Sequence, residues 1–266
     1  MSSSKIHTNR IVILGAGNVA THLALALKKS DQKITFIYNR TINSAKELAL
    51  KVGADYSDKI HEIPADADIY IIAVKDDAID DISRNLNIHN GIVVHTSGGI
   101  SIDVFQKRFK NVGVFYPLQT FSKIRAIDFS EVPVFIEANN AETKKSLLHL
   151  AQSISKSVTE ADSEKRKGIH LAAVFSCNFI NHMFTIGSEL MKKSDSSFDL
   201  LKPLILETVN KALELQPKNA QTGPAIRNDK TVQENHLKLL EEYPEFEKIY
   251  RFVSESIYKS HSKKEN

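Results

Sequence analysis

At 266 residues the chain is long enough for about two domains and a sizeable core, and its 42% hydrophobic and 25% charged residues describe an ordinary globular protein. A formal charge of +3, with no lysine-rich stripe carrying interleaved aromatics, argues against nucleic acid and for a small soluble ligand. The single cysteine, Cys177, excludes an internal disulfide; no uninterrupted apolar run reaches the roughly 18 residues of a membrane span, and MSSSKIHTNR lacks an apolar signal core, so a cytoplasmic protein is expected.

In chain order, short apolar runs near residues 11–14, 34–38, 69–74, 92–95 and 112–116 read as strands, with helical patterns between most of them. The runs IYIIAV and GIVVH are apolar on both alternating faces, as strands covered by helices on each side of a parallel sheet must be. VPVFIEA, a helix near 141–153 and KSVTEAD complete the strand-bearing part. The expected fold is α/β, a doubly wound Rossmann-type, mostly parallel sheet over residues 1–160, followed by an all-α domain over 161–266. Helical patterns run to about Ser260, and the polar tail SHSKKEN is expected to be disordered.

The first strand leads into Gly15-x-Gly17-x-x-Ala20 at the mouth of a helix. The first glycine allows the tight turn, the second lets backbone approach a pyrophosphate, and the small third residue lets helix pack on strand. Amides at the helix N-terminus then receive the phosphate charge, so Gly15, Ala16, Gly17, Asn18 and Val19 are expected against the cofactor. A ligand-free turn of the same shape is the alternative. The second strand ends in FIYNRT, where a cofactor lacking a 2′-phosphate would usually meet an acid. Asn39, Arg40, Thr41 and Ser44 supply a cation and neutral hydrogen-bonding groups instead, which favours NADP over NAD. A merely solvated Arg40 is the competing reading.

Two more strand ends share that edge of the sheet. In AVKDDAI, Ala73, Val74 and Lys75 are expected to border ribose and nicotinamide, with Asp76 capping the following helix. In HTSGG, Ser97 and Gly98 are expected against the cofactor and His95 toward substrate, the two glycines allowing close approach. YPLQTF adds Gln119 to the substrate side.

These segments, GAGNVA, NRT, AVKDDAI, HTSGG and YPLQTFS, with GIHLAAVFSCNFINHM and AQTGPAIRND further on, resemble the bacterial Rossmann-like NADP oxidoreductases that carry a helical domain of unknown function. The resemblance spans nearly the whole chain. Its N-terminal part is also similar to pyrroline-5-carboxylate reductase, deazaflavin-dependent NADP oxidoreductase and the β-hydroxyacid dehydrogenases, whose second domains are helical and often dimerise. The resemblance implies nicotinamide chemistry and a homodimer through the helical domain, and it names no substrate.

At about 100° per residue, Lys167, His170, Asn178 and Asn181 fall on one helical arc shared with Val174 and Cys177, a polar stripe between LAAVF and FI positions that read as core. In the similar β-hydroxyacid dehydrogenases a catalytic lysine stands one turn before an asparagine; here Val174 holds that place before Asn178. His170 is the substitute proton donor, since imidazole as a group titrates near neutral pH, with Asn178 orienting substrate and Lys75 at the floor of the cleft. A satisfied core or interface histidine is the alternative. Asn181, and Thr222 and Arg227 from the polar segment QPKNAQTGPAIRND, complete the expected substrate contacts, the arginine as a carboxylate partner unless it pairs with Asp229. Cys177 is expected to pack, and the ten scattered histidines lack metal-ligand spacing. The expected function is hydride transfer between NADP(H) and a small carbonyl or imine. The alternative is a non-catalytic NADP sensor or metabolite-binding protein.

Overall fold

The computed structural model describes residues 8–105 and 107–262; the start of MSSSKIHTNR and the last four residues of SHSKKEN lie outside the described residues. Eight strands form one sheet: β1 Arg10–Leu14, β2 Lys33–Tyr38, β3 Asp55–Ser57, β4 Ile69–Ile72, β5 Ile92–His95, β6 Asn111–Pro117, β7 Val134–Ala138 and β8 Val158–Glu160. Their order is β3-β2-β1-β4-β5-β6-β7-β8, and every neighbouring pair is parallel except β6 with β7. The first six strands thus follow the 3-2-1-4-5-6 order of dinucleotide-binding sheets, whose crevice opens where the chain reverses direction between β1 and β4. β3 is a strand beyond those expected: three residues, two of them exposed, leave no apolar alternation to announce it.

The buried strands divide their side chains between two cores. Ile11 and Ile13 face one, with Ala20, Leu23, Ala24 and Leu27 of α1 (Asn18–Lys29) and Leu48 and Val52 of α2 (Ile42–Val52). Val12 and Leu14 face the other, with Ile79 and Ile82 of α3 (Ile79–Asn85). That two-sided cover is why the strands read as continuous apolar runs. Helix α4 (Ala141–Gln152) returns Leu147 and Leu150 to the first core, started by Asn140, whose side chain accepts the Thr143 amide at 2.8 Å.

After Glu160 every described element is helical. Asp162 caps α5 (Ser163–Ala173) by accepting the Lys165 amide, a π-helical stretch covers Val174–Phe179, and α6 (Ile180–Lys193) continues it. The chain divides into two compact units at Cys177/Asn178. The second holds α6 with α7 (Lys202–Leu215), α8 (Pro217–Ala220), α9 (Lys230–Leu239) and α10 (Pro244–Ser262). Ser260 to Ser262, expected in a disordered tail, are the last turn of α10.

The π stretch corrects the expected polar arc. Widening the helix adds residues per turn, so a constant 100° step does not hold between His170 and Asn181. The apolar positions expected as core are also exposed: Leu171 is 59%, Phe175 61% and Phe179 48% accessible. Cys177 is exposed instead of packed. Against the expectation that no segment reaches a membrane span, the helix Ser163–Lys193 is long and apolar enough to cross one, by length and composition only.

Candidate active site

The parallel register aligns the strand ends. Leu14 stands beside Tyr38 and Ile72, Ile72 beside His95, and His95 beside Val114. Each following loop therefore leaves the sheet at one edge: Gly15–Gly17, Asn39–Thr41, Ala73–Lys75 and Ser97–Gly99, with Tyr116 at the level of Ser97.

At the first loop the Gly15 amide donates to the Tyr38 carbonyl at 2.7 Å. Its φ is +123°, and a Cβ there would meet the Ala73 carbonyl oxygen at 2.2 Å, so β1 and β4 approach too closely for any other residue. Gly17, by contrast, has nothing within 4 Å of such a Cβ and begins α1 with no side-chain cap. That open cradle of helix N-terminal amides fits a pyrophosphate. Asn39 stiffens it: its Oδ1 accepts the Ala16 amide at 3.2 Å and its Nδ2 donates to the Thr41 carbonyl at 3.1 Å. Asn39 is thus a brace between the glycine loop and the β2 end. Arg40 and Thr41 are exposed beside it, Ser44 is half-buried, and Thr41 begins α2 without a side-chain cap. Asn18 accepts the Lys123 amide at 3.3 Å, which brings the loop after β6 to the start of α1, and Val19 is half-buried.

On the other side of the crevice the side chains converge on Gly98. A Cβ on this buried glycine would lie 2.7 Å from both His170 Cγ and Tyr116 Cζ, so the loop is pressed against both rings. The Tyr116 hydroxyl and His170 Nδ1 are 3.0 Å apart. Burial holds Tyr116 above the usual phenol range, opposed by Arg166 and aided by Asp76, so the phenol keeps its proton beside Nδ1. Asp76 does not cap a helix as expected; Lys75 precedes the short turn there, and the Asp76 carboxylate instead comes within 3.5 Å of where a Gly99 Cβ would be, near His170 Cδ2. Ser97 Oγ accepts the Gly99 and Ile100 amides, each at 3.1 Å. Ala73 is buried, Val74 half-buried, and Lys75 exposed at the same edge.

Two expected substrate contacts are placed otherwise. His95 is fully buried, its ring 5.5 Å from that of Phe105 and its Nδ1 accepting the Ser97 amide at 3.2 Å, so it supports the loop from inside and cannot meet a substrate. Gln119 is exposed but turns its Oε1 back to the Thr120 amide at 2.8 Å. Asn178, Asn181, Thr222 and Arg227 are exposed in the second unit, where Asn181 lines a shallow groove with Phe184 and Phe198 and Asp229 caps α9 through the Val232 amide.

Burial, with the Arg166 guanidinium close by, pushes His95 down to about 3. The unfolded imidazole takes up its proton near pH 6.5. Between those values the unfolded chain binds a proton that the folded one refuses, so this contribution to stability is complete above the upper value and lost as pH falls through the window. We expect a slope of up to about 1.4 kcal/mol per pH unit there, flattened by His95→Gln. Urea unfolding at several pH values checks this, and equal slopes in both proteins would refute it.

Sequence reading missed Tyr116, which closes an apolar strand, and Arg166, which sits inside the polar run SEKRKG. The available signal for the second was Glu137, a carboxylate within VFIEA that a buried strand can hold only beside a cation.

A Rossmann-type sheet with an open glycine cradle, an arginine at the second strand end and a tyrosine–histidine pair across the crevice defines a dinucleotide-dependent oxidoreductase. Residues 10–99 match the model described as NADP oxidoreductase coenzyme F420-dependent, and residues 132–257 match the Domain of unknown function (DUF2520). A solved protein of Bacteroides fragilis assigned as an NADP oxidoreductase is 45% identical, with TM-score 0.91 over 95% of this chain and 98% of its own. The chain belongs to this family of Rossmann-type NADP oxidoreductases with a C-terminal helical domain of unknown function, and its cofactor is NADP. A reductive aminase of Aspergillus terreus, solved with NADPH and ethyl-5-oxohexanoate, shares the fold at TM-score 0.69 and 15% identity over 95% of this chain and 94% of its own. The pyrroline-5-carboxylate reductase of Aquifex aeolicus is 26% identical over 102 residues, which is 38% of each chain.

Proposed function

We propose that the chain transfers a hydride between NADP(H) and a small carbonyl or imine, with the reacting carbon held over Gly98 and His170 Nε2 as the proton donor. The observation that carries this reading is the Tyr116–His170 hydrogen bond set against Gly98 at the strand-end crevice. Bound NADPH supplies the hydride. The Gly15–Gly17 loop and the start of α1 hold its pyrophosphate, Arg40 with Thr41 and Ser44 its 2′-phosphate, and Ala73–Lys75 border the nicotinamide ribose. As the imidazolium, His170 passes its Nε2 proton to the oxygen or nitrogen that gains the electron pair and is left as neutral imidazole, its Nδ1 held by the Tyr116 hydroxyl. The fold likeness to a reductive aminase and the partial match to a pyrroline-5-carboxylate reductase favour imines within that class. Purified protein should oxidise NADPH with some member of a panel of cyclic imines, aldehydes and keto acids. Tight NADPH binding without oxidation across the panel would favour the sensor instead.

The helical part from residue 161 is the substrate and dimerisation domain of this cytoplasmic enzyme in the same proposal. Leu171, Ile180 and Met183 are exposed on one stretch of helix, where a second copy would cover them. Sedimentation at micromolar concentration should give a homodimer that Ile180→Glu weakens. A monomer would contradict it.

A further inference from the structure

We infer that Arg166 is a positioning residue that fixes the Gly98–Gly99 loop and the His170 ring against each other; its functional meaning rests on the reading of His170 as proton donor. Arg166 is fully buried, an unusual place for a guanidinium unless its three nitrogens are engaged. Here they are. Nη1 pairs with the Glu137 carboxylate, Nε donates to the Ser97 carbonyl at 3.2 Å, and Nη2 donates to the Ile100 carbonyl and to Ser163 Oγ at 3.3 Å. The two carbonyls flank Gly98–Gly99, so one planar fork holds the loop at both ends. Ser163 closes the network, donating to Glu137 at 2.9 Å and accepting the Ile102 amide at 3.1 Å.

Arg166 lies four residues before His170 in α5, and residues so spaced share a helix face. The side chain that clamps the loop therefore also sets the height of the turn that presents the imidazole to it. A lysine cannot reproduce this, having a single point charge where two carbonyls and a carboxylate need a fork.

The test uses full-length protein and two variants. Arg166→Lys keeps the charge and loses the fork; the Arg166→Met/Glu137→Leu pair removes both charges, so that neither is left buried and unpaired. In either variant that folds, amide exchange at Gly99 and Ile100 should accelerate about tenfold or more while Ile11–Leu14 stays protected, and the His170 ring-nitrogen shifts should lose the signature of an Nδ1 hydrogen-bonded to the Tyr116 hydroxyl. A general loss of stability would not single out those signals. Wild-type shifts and wild-type exchange in a folded variant would overturn the inference. The readout is geometric, so it gives the same answer whether or not His170 transfers a proton; that reading fails separately, in the turnover of His170→Ala.

Discussion

His170→Ala is expected to slow the chemical step about 10²- to 10⁴-fold while leaving NADPH affinity nearly unchanged, because a positioned general acid contributes in that range and the residue lies apart from the glycine cradle. The loss should fall on kcat and kcat/KM together, since the proton is needed only as charge develops on the substrate. His170→Gln provides the control for packing: it fills much of the same space against Gly98 and can still meet the Tyr116 hydroxyl, yet it cannot donate and regain a proton as imidazole does. It should be nearly as slow as the alanine variant. Full activity in the glutamine variant would reduce His170 to a packing residue and pass the proton to Lys75 or to a water.

The second large effect concerns cofactor choice. Arg40 is exposed at the end of β2, beside the uncapped start of α2, with no carboxylate in NRT to repel a phosphate. NADPH should bind about 10- to 150-fold more tightly than NADH, the worth of a charge-assisted contact of roughly 1.5 to 3 kcal/mol. Arg40→Ala should erase most of that ratio by weakening NADPH and sparing NADH. Titration of both dinucleotides against both proteins checks it. Equal affinities in the unmutated protein would contradict the role given to Arg40.

The cofactor half of the site was legible because its signals are local. Gly15, Gly17 and Ala20 follow an apolar run at fixed offsets, and NRT stands where the next strand must end. Strand register then aligns those ends without further information. The opposite wall depends on contacts between distant segments: Tyr116 meets His170 across 54 positions, and Arg166 reaches Ser97 and Ile100 across 69 and 66. No periodicity in SEKRKG distinguishes a buried arginine from its solvated neighbours. His95 was misplaced for the same reason, since a polar residue at a strand end can point into the crevice or beneath the loop, and only the position of Phe105 decides. The polar arc assumed one helix step across Val174–Phe179, where the backbone departs from α geometry.

The most direct measurement is the position of the nicotinamide ring in a crystal of the complex with NADP. The account requires the hydride-bearing carbon to face Gly98 and to lie within roughly 7 Å of His170 Nε2, leaving room for one reacting substrate bond between hydride and proton. A nicotinamide ring turned away from Gly98, or more than about 10 Å from that nitrogen, would contradict the proposed chemistry whatever the affinity of the cofactor.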